Sequence, residues 1–396
     1  MYSNNNRYGR RSSGYNRFQK RKPRSFGGVK IDPNKYICKA SPVVSIMETK
    51  TVNNFEDFGV DPILLENIKA KGFNKPTPIQ DQVIPKAIEG CDILGIANTG
   101  TGKTAAFAIP LIDKILKNPK ERILILAPTR ELATQIKQDI RSFTYGLKIY
   151  IALAIGGAYL REQIIDIKRG PHIVVGTPGR ISDLARRRVI NFSVFDTVVL
   201  DEVDRMLDMG FVDEIKGIMD QIPENRQTLF FSATIDRKIE GLIDSFLHNP
   251  VKISVKTQDT STHVEQDIVR VDRNRKMDKL IELLAKPDFN KVLVFGGTKM
   301  IVEKISQSLI QKGFKADSIH GDKRQFQRNR VLTAFKSNQI SVLVATDVAA
   351  RGLDVADITH VINYDQPANF EDYTHRIGRT GRGDKIGTAL TFVDQY

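Results

Sequence analysis

Four apolar residues, Ile93-Leu94-Gly95-Ile96, run straight into Ala97-Asn98-Thr99-Gly100-Thr101-Gly102-Lys103-Thr104. A strand that ends in a glycine-rich turn and enters a helix aims several backbone N–H groups at one point, and that point suits a polyphosphate. Gly100, Thr101 and Gly102 supply the cradle, Lys103 adds a cation, and the Thr104 hydroxyl is placed to hold Mg²⁺. Ala97 stands where the strict pattern has Gly. A second apolar run, Val198-Val199-Leu200, closes in Asp201-Glu202-Val203-Asp204. Asp201 can hold the metal through its water shell, and Glu202 can orient or deprotonate an attacking water. In this order, each at a strand end, the two segments point to hydrolysis of a nucleoside triphosphate.

The 396 residues suffice for two or three domains. From about Val52, short β-branched runs alternate with helical stretches, the signature of parallel α/β sheets. One series is Ile93–Ile96, Ile123–Leu126, Ile149–Ala154, His172–Val175, Val198–Leu200 and Thr228–Phe231. A second is Ile268–Val271, Val292–Phe295, Ala316–Ile319, Val342–Ala345, His360–Asn363 and Thr388–Val393. Val255–Glu265 between them, rich in Thr, Ser, Asp and Gln, reads as a linker. The halves repeat one device: Ile123–Arg130 and Val292–Lys299 are each a strand, a small-residue turn, a Thr, a cation and a helix start. The expected domains are therefore a tail over 1–51, an ATP-binding domain over 52–254, a linker over 255–265 and a second domain over 266–396.

Charge is concentrated in the tail. Residues 1–40 carry eleven Lys and Arg against Asp32 alone, so they hold +10 of the net +14. Such composition cannot bury enough surface to offset chain entropy, and disorder is expected. Six aromatics, Tyr2, Tyr8, Tyr15, Phe18, Phe26 and Tyr36, are interleaved with the cations. The pattern suits a sequence-tolerant grip on nucleic acid, charge on phosphates and rings on bases. Two cysteines, Cys38 and Cys91, offer neither a zinc spacing nor a disulfide framework, so a reducing, cytoplasmic setting is expected. No apolar run reaches the ~18–20 residues of a membrane span, and the N-terminus lacks the apolar core of a secretory signal.

Further constellations surround these segments. Gly72–Gln80 holds two prolines in a rigid turn, with Gln80 placed to read adenine through its amide. Phe55 is placed to stack on the same base, although such a Phe by itself reads as a core residue. Ser232-Ala233-Thr234 follows a strand, where its hydroxyls can bridge Asp204 to the other half of the chain or simply cap a helix. Tyr373–Arg382 sets Arg376 and Arg379 on one helical face and adds Gly378 and Gly381. Arginines delivered to a γ-phosphate from a second domain stabilise the transition state by about 10³–10⁵.

Together these stretches resemble the DEAD-box ATP-dependent RNA helicases of superfamily 2, from Phe55 to the C-terminus. The resemblance implies an α/β protein of two tandem RecA-like domains with parallel sheets, using ATP and Mg²⁺ to bind RNA independently of sequence and unwind short duplexes. Lys103, Asp201, Glu202, Arg379 and Arg382 take catalytic roles; Thr104 and Asp201 hold metal; Phe55, Gln80, Gly100 to Thr104 and Asp354 bind nucleotide. Asp204, Ser232, Thr234 and His375 couple the domains. RNA contacts fall on Pro128, Thr129, Arg130, Gly156, Gly157, Thr177, Pro178, Gly179 and Arg180. In the second half they fall on Thr298, Gln325, Arg328, Thr346 and Asp347. These small residues, hydroxyls and cations suit phosphates and 2′-OH groups. Val203 replaces the family's Ala in the acidic motif. The sequence ends soon after the last expected strand, so targeting is expected from the tail or from protein partners that it recruits. A monomer, open without ligands, is expected. An ATP-gated RNA clamp or annealing chaperone driven by the tail is the alternative.

Overall fold

The computed structural model describes residues 36–39, 51–98, 100–255, 263–350, 355, 357–381 and 385–395. Residues 1–35 and 40–50, which hold most of the expected tail, lie outside them, as do Asp354 and Arg382.

Seven strands build the first sheet: β1 Ile93–Ile96, β2 Ile123–Leu126, β3 Ile151–Ala154, β4 Ile173–Gly176, β5 Thr197–Leu200, β6 Gln227–Ser232 and β7 Val251–Ser254. Six build the second: β8 Val264–Val271, β9 Val292–Phe295, β10 Ala316–Ile319, β11 Val342–Ala345, β12 His360–Asn363 and β13 Gly387–Asp394. All pairings within both sheets are parallel, in the orders β3-β4-β2-β5-β6-β1-β7 and β10-β11-β9-β12-β13-β8. The central strands read as continuous apolar runs because helices cover both faces. Leu124 and Leu126 face one apolar cluster of the first sheet, whereas Ile123 and Ile125 face the other. The chain thus has two tandem RecA-like α/β domains.

Order in the first sheet decides where the chemistry lies. β5, β6 and β1 are neighbours, so Asp201, Ser232 and the glycine-rich turn all emerge from adjacent carboxyl ends. Parallel sheets bind ligands along that edge. The repeated device recurs as capping chemistry. Thr129 accepts a bond from Leu132 N–H at the start of helix Arg130–Phe143, and Thr298 accepts one from Ile301 N–H at the start of Lys299–Gln311, both at 3.2 Å.

Several expectations need correction. β7 is not among the strands expected from the sequence, because Val251-Lys252-Ile253-Ser254 is a half-exposed edge strand with only two strong apolar residues. β3 starts at Ile151, since Tyr150 lies exposed and stacked on His172. The linker cannot extend to Glu265: β8 begins at Val264, which is fully buried, and carries Gln266 inward to accept a bond from the Tyr373 hydroxyl at 2.9 Å. Polar composition concealed this strand. Tyr36 is not an open stacking ring; it is fully buried in the second domain.

Gly95 lies beside Phe231, and a Cβ built on it would stand 2.5 Å from the ring. Gly95→Ala should therefore cost about 1–3 kcal/mol through overpacking, read as a lower midpoint in urea unfolding. Phe231→Leu in the same chain should recover part of that loss; strict additivity would contradict the contact.

Candidate active site and nucleic-acid interface

The glycine-rich turn closes onto the start of helix Lys103–Lys117. Gly100 and Gly102 adopt φ of 85° and 94°, which glycine tolerates without strain. A Cβ on Gly102 would also collide with the Gln80 amide. Lys103 is buried and its Nζ donates to the Ala97 carbonyl at 2.9 Å, while the Thr101 hydroxyl donates to the Asn98 carbonyl at 2.9 Å. Thr104 follows as the second residue of the helix.

Gln80 proves to be part of the scaffold. Its Oε1 accepts from Thr77 N–H at 2.9 Å, and its Nε2 donates to the Gly102 carbonyl at 3.1 Å. The amide thus ties its own helix cap to the phosphate turn, leaving one N–H and one lone pair for a base. Phe55 is only 1 % exposed and packs edge-on against Phe58 and Phe73, so its ring belongs to the core and is not an open stacking face. Its apolar contacts outweigh the exposure that stacking requires.

At the end of β5, Asp201 is buried and its Oδ1 has no hydrogen-bond partner among the described residues. Burial, above all, pushes its carboxyl up to about 6; the Lys103 cation opposes this, and the neighbouring Glu202 and Asp204 reinforce it. Glu202 adopts the left-handed conformation, φ 54° and ψ 54°, uncommon for a residue with a Cβ. Its carboxylate is gripped by Arg205, buried like itself. Arg205 was not foreseen: Glu-to-Arg at i, i+3 looks like any helix-surface pair until its burial is known. Val203 is fully buried in the cluster with Leu200 and Met206.

Asp204 Oδ2 accepts from Ala233 N–H at 2.9 Å and from Thr234 N–H at 3.2 Å, and the Ser232 hydroxyl donates to the Thr234 carbonyl at 2.7 Å. The acidic motif and the Ser-Ala-Thr turn are thereby one unit. Facing them across a cleft of about 320 Å³ is the second domain: Lys103, Glu202 and Asp204 line one wall, Thr374, His375 and Arg379 the other.

A separate cleft of about 440 Å³ gathers Thr129, Arg130, Gly156, Thr177, Arg180 and Arg328; Pro128 and Gly179 also line it. Gly156 and Gly157 are small because the Arg130 guanidinium lies against them; a Cβ on Gly157, itself at φ 76°, would overlap it. Thr177 and Pro178 start helix Pro178–Arg186, which carries Arg180. Arg180 Nη1 and Arg328 Nε are buried without partners among the described residues, a donor set suited to anionic oxygens.

The second-domain residues expected at RNA also have protein partners. Gln325 Nε2 donates to Glu131 Oε1 at 3.1 Å, and Arg328 Nη2 pairs with the same oxygen at 2.9 Å, both across the domain boundary. Asp347 forms a bidentate pair with Arg376, at 2.5 and 2.8 Å, because Arg376 is buried and needs a counter-charge. Thr346 accepts from Ala349 and Ala350 N–H, starting the next turn, and Thr298 acts as the helix cap already described.

A phosphate cradle at the end of β1, a carboxylate pair two strands away at the end of β5 and an arginine from a second RecA-like domain are the parts that a two-domain nucleoside triphosphatase requires. Comparison with known proteins specifies it further. The DEAD/DEAH box helicase family model matches residues 77–242, and the helicase conserved C-terminal domain matches 275–384. The chain is 45% identical over 344 residues to the ATP-dependent RNA helicase CshA of Listeria monocytogenes, covering 86% of this chain and 66% of that relative. Among solved structures, a DEAD box protein from the hyperthermophile Methanococcus jannaschii is 40% identical, with 86% of this chain and 93% of that one covered and a TM-score of 0.50. Dbp5 of S. cerevisiae, bound to RNA and ADP BeF3, is 30% identical over 87% and 90%, with a TM-score of 0.77. The chain belongs to the DEAD-box helicase family.

Two outcomes follow from this geometry. Gly157→Ala should displace Arg130 and weaken single-stranded RNA binding about tenfold, the loss of roughly one charge-assisted bond, with nucleotide affinity unchanged; fluorescence anisotropy with a labelled oligonucleotide reads both. The second concerns Asp201. Between the usual 3.8 and about 6 the folded protein keeps a proton that the unfolded chain releases. Its contribution to stability is therefore full below 3.8 and lost as pH rises through about 6. Urea unfolding of the ligand-free protein should show this fall, and Asp201→Asn should flatten it.

Proposed function

We propose that the protein hydrolyses ATP in the cleft between its domains and couples this to RNA binding and local duplex unwinding. The observation that carries the reading is the composition of that cleft: Lys103 and Glu202 from one domain confront Arg379 from the other. Hydrolysis thus requires both domains, and a second cleft lined by Arg130, Arg180 and Arg328 lets a polyanion influence how they meet.

The N–H groups around Gly100 and Gly102 receive the phosphates, with Lys103 beside them. Gln80 turns its remaining donor and lone pair to adenine, and Phe55 supports that turn from below. Asp201 and Thr104 are the residues that would hold Mg²⁺; the unpartnered, buried Oδ1 of Asp201 fits a cation, which when bound neutralises charge on the phosphate oxygens. Glu202, held by Arg205, orients the attacking water. Arg379 stabilises charge in the transition state; by family resemblance Arg382 assists it and Asp354 meets the ribose. Asp204, Ser232, Thr234 and His375 relay closure between the domains. RNA lies along Pro128 to Arg130, Gly156-Gly157 and Thr177 to Arg180, with Thr298, Thr346 and Asp347 bordering it. Contacts of this kind address the RNA backbone, so binding is independent of sequence.

The name of CshA and the RNA and ADP BeF3 bound to Dbp5 support this assignment. The TM-score is higher against that complex, 0.77, than against the more identical archaeal protein, 0.50. The bonds from Gln325 and Arg328 to Glu131 support a joined arrangement of the domains, unlike the open one expected without ligands. No helix among the described residues is long and apolar enough to cross a membrane. We place the protein in the cytoplasm as a monomer, with the basic tail recruiting RNA or protein partners. Val203 in the acidic motif tunes packing beneath Glu202 and leaves the chemistry intact.

The test is the ATPase rate with no nucleic acid, with short unstructured RNA and with DNA of the same sequence, for the intact protein and Glu202→Gln. Strong stimulation by RNA alone, reduced about 10²–10⁴-fold by the substitution, is expected. Equal stimulation by DNA, or hydrolysis indifferent to Glu202, would contradict the reading.

A further inference from the structure

The short segment ahead of the first domain is docked on the second. Cys38 and Gln266 exchange both backbone bonds, at 3.0 and 2.7 Å, which adds an antiparallel bridge to β8 at the sheet edge. Tyr36 is inserted beneath it with no exposed surface, its ring 4.7 Å from that of Tyr373 and inclined by 58°. Ile37, Cys38 and Lys39 stay exposed, so a single ring anchors the segment. The Tyr36 hydroxyl finds no partner among the described residues, which makes the ring, not the hydroxyl, the holding group.

What that ring touches is informative. Tyr373 belongs to helix Phe370–Ile377, which presents His375 to the interdomain cleft and leads directly to Arg379. Beyond Arg379, Gly381 at φ 66° rests on β8: a Cβ there would stand 2.8 Å from Val264 and 3.0 Å from the His263 carbonyl. The arginine is thus framed by two supports, the helix before it and the turn after it. The docked segment braces both, Tyr36 against Tyr373 and Cys38 against β8. One turn further along the same face, the helix is also tied down through Arg376 to Asp347 and Asn363.

We propose that Tyr36 is a positioning residue for Arg379: residues 36–39 brace, from the sheet edge, the helix that leads to Arg379 and set the geometry in which that arginine meets the triphosphate. The proposal rests on the ATPase reading above. It removes Tyr36 from the aromatics available to stack on RNA and makes the foot of the tail part of the second domain.

Full-length Tyr36→Ala, Tyr36→Leu and Tyr36→Phe test it through kcat, KM for ATP, half-saturating RNA and amide hydrogen exchange in residues 370–377. Removing the ring should lower kcat at saturating ATP and RNA about tenfold, a modest misplacement of a transition-state group. Half-saturating RNA should change less than about twofold, and exchange in the helix should accelerate. Tyr36→Leu should behave as a milder Tyr36→Ala, which keeps the comparison available if the alanine variant folds poorly. Tyr36→Phe should match the parent, since it keeps the ring and loses only an unbonded hydroxyl. Intact kcat with a raised RNA requirement, the mark of a lost stacking ring, would overturn the proposal. So would slowed turnover with unchanged exchange. A parent protein without RNA-stimulated hydrolysis would overturn the ATPase reading itself, a failure recognisable because helix exchange would still respond to Tyr36→Ala.

Discussion

One carboxylate joins the two domains. Glu131, the second residue of helix Arg130–Phe143, accepts from both Gln325 and Arg328 of the other domain, and all three side chains are buried. A charge withdrawn from water must be paired, and the pairing repays desolvation only when the geometry is good. Glu131 therefore tolerates burial in one mutual placement of the domains, the one that brings Arg379 to face Lys103 and Glu202. It stands next to Arg130, which lines the second cleft, so the contact that holds the domains together is continuous with the surface proposed for RNA. Strand order does the remaining work. With β5, β6 and β1 adjacent, Asp204 can bond the Ser-Ala-Thr turn and Ala97 N–H can donate to the Ser232 carbonyl without any long connection.

Much of this was legible in the sequence, and for a common reason. The phosphate cradle, the acidic tetrad, the capped Thr129 and Thr298 helices and nearly every strand are local patterns, in which neighbours in the chain are neighbours in space. Parallel strands buried on both faces appear as uninterrupted β-branched runs, so most boundaries fell within two residues.

What escaped reading depends on burial or on distant partners. Arg205 and Glu131 look like ordinary helix charges until their surroundings are known. Gln325 lies 194 residues from Glu131, and no periodicity announces that pairing. The start of β8 was concealed by Glu, Gln and Asp, of which Gln266 is buried to serve Tyr373. Tyr36 was submerged in a basic composition that otherwise speaks for the tail. In each case the polar character is plain in the sequence, but its destination is not.

The most direct test of the account is a double-mutant cycle on Glu131→Ala and Arg328→Ala, read as kcat/KM for RNA-stimulated ATP hydrolysis. If their contact is what couples RNA to the assembled cleft, the two losses should fall short of adding by about 1 kcal/mol or more. Additivity within about 0.5 kcal/mol would mean that the clasp is incidental and that closure is governed elsewhere.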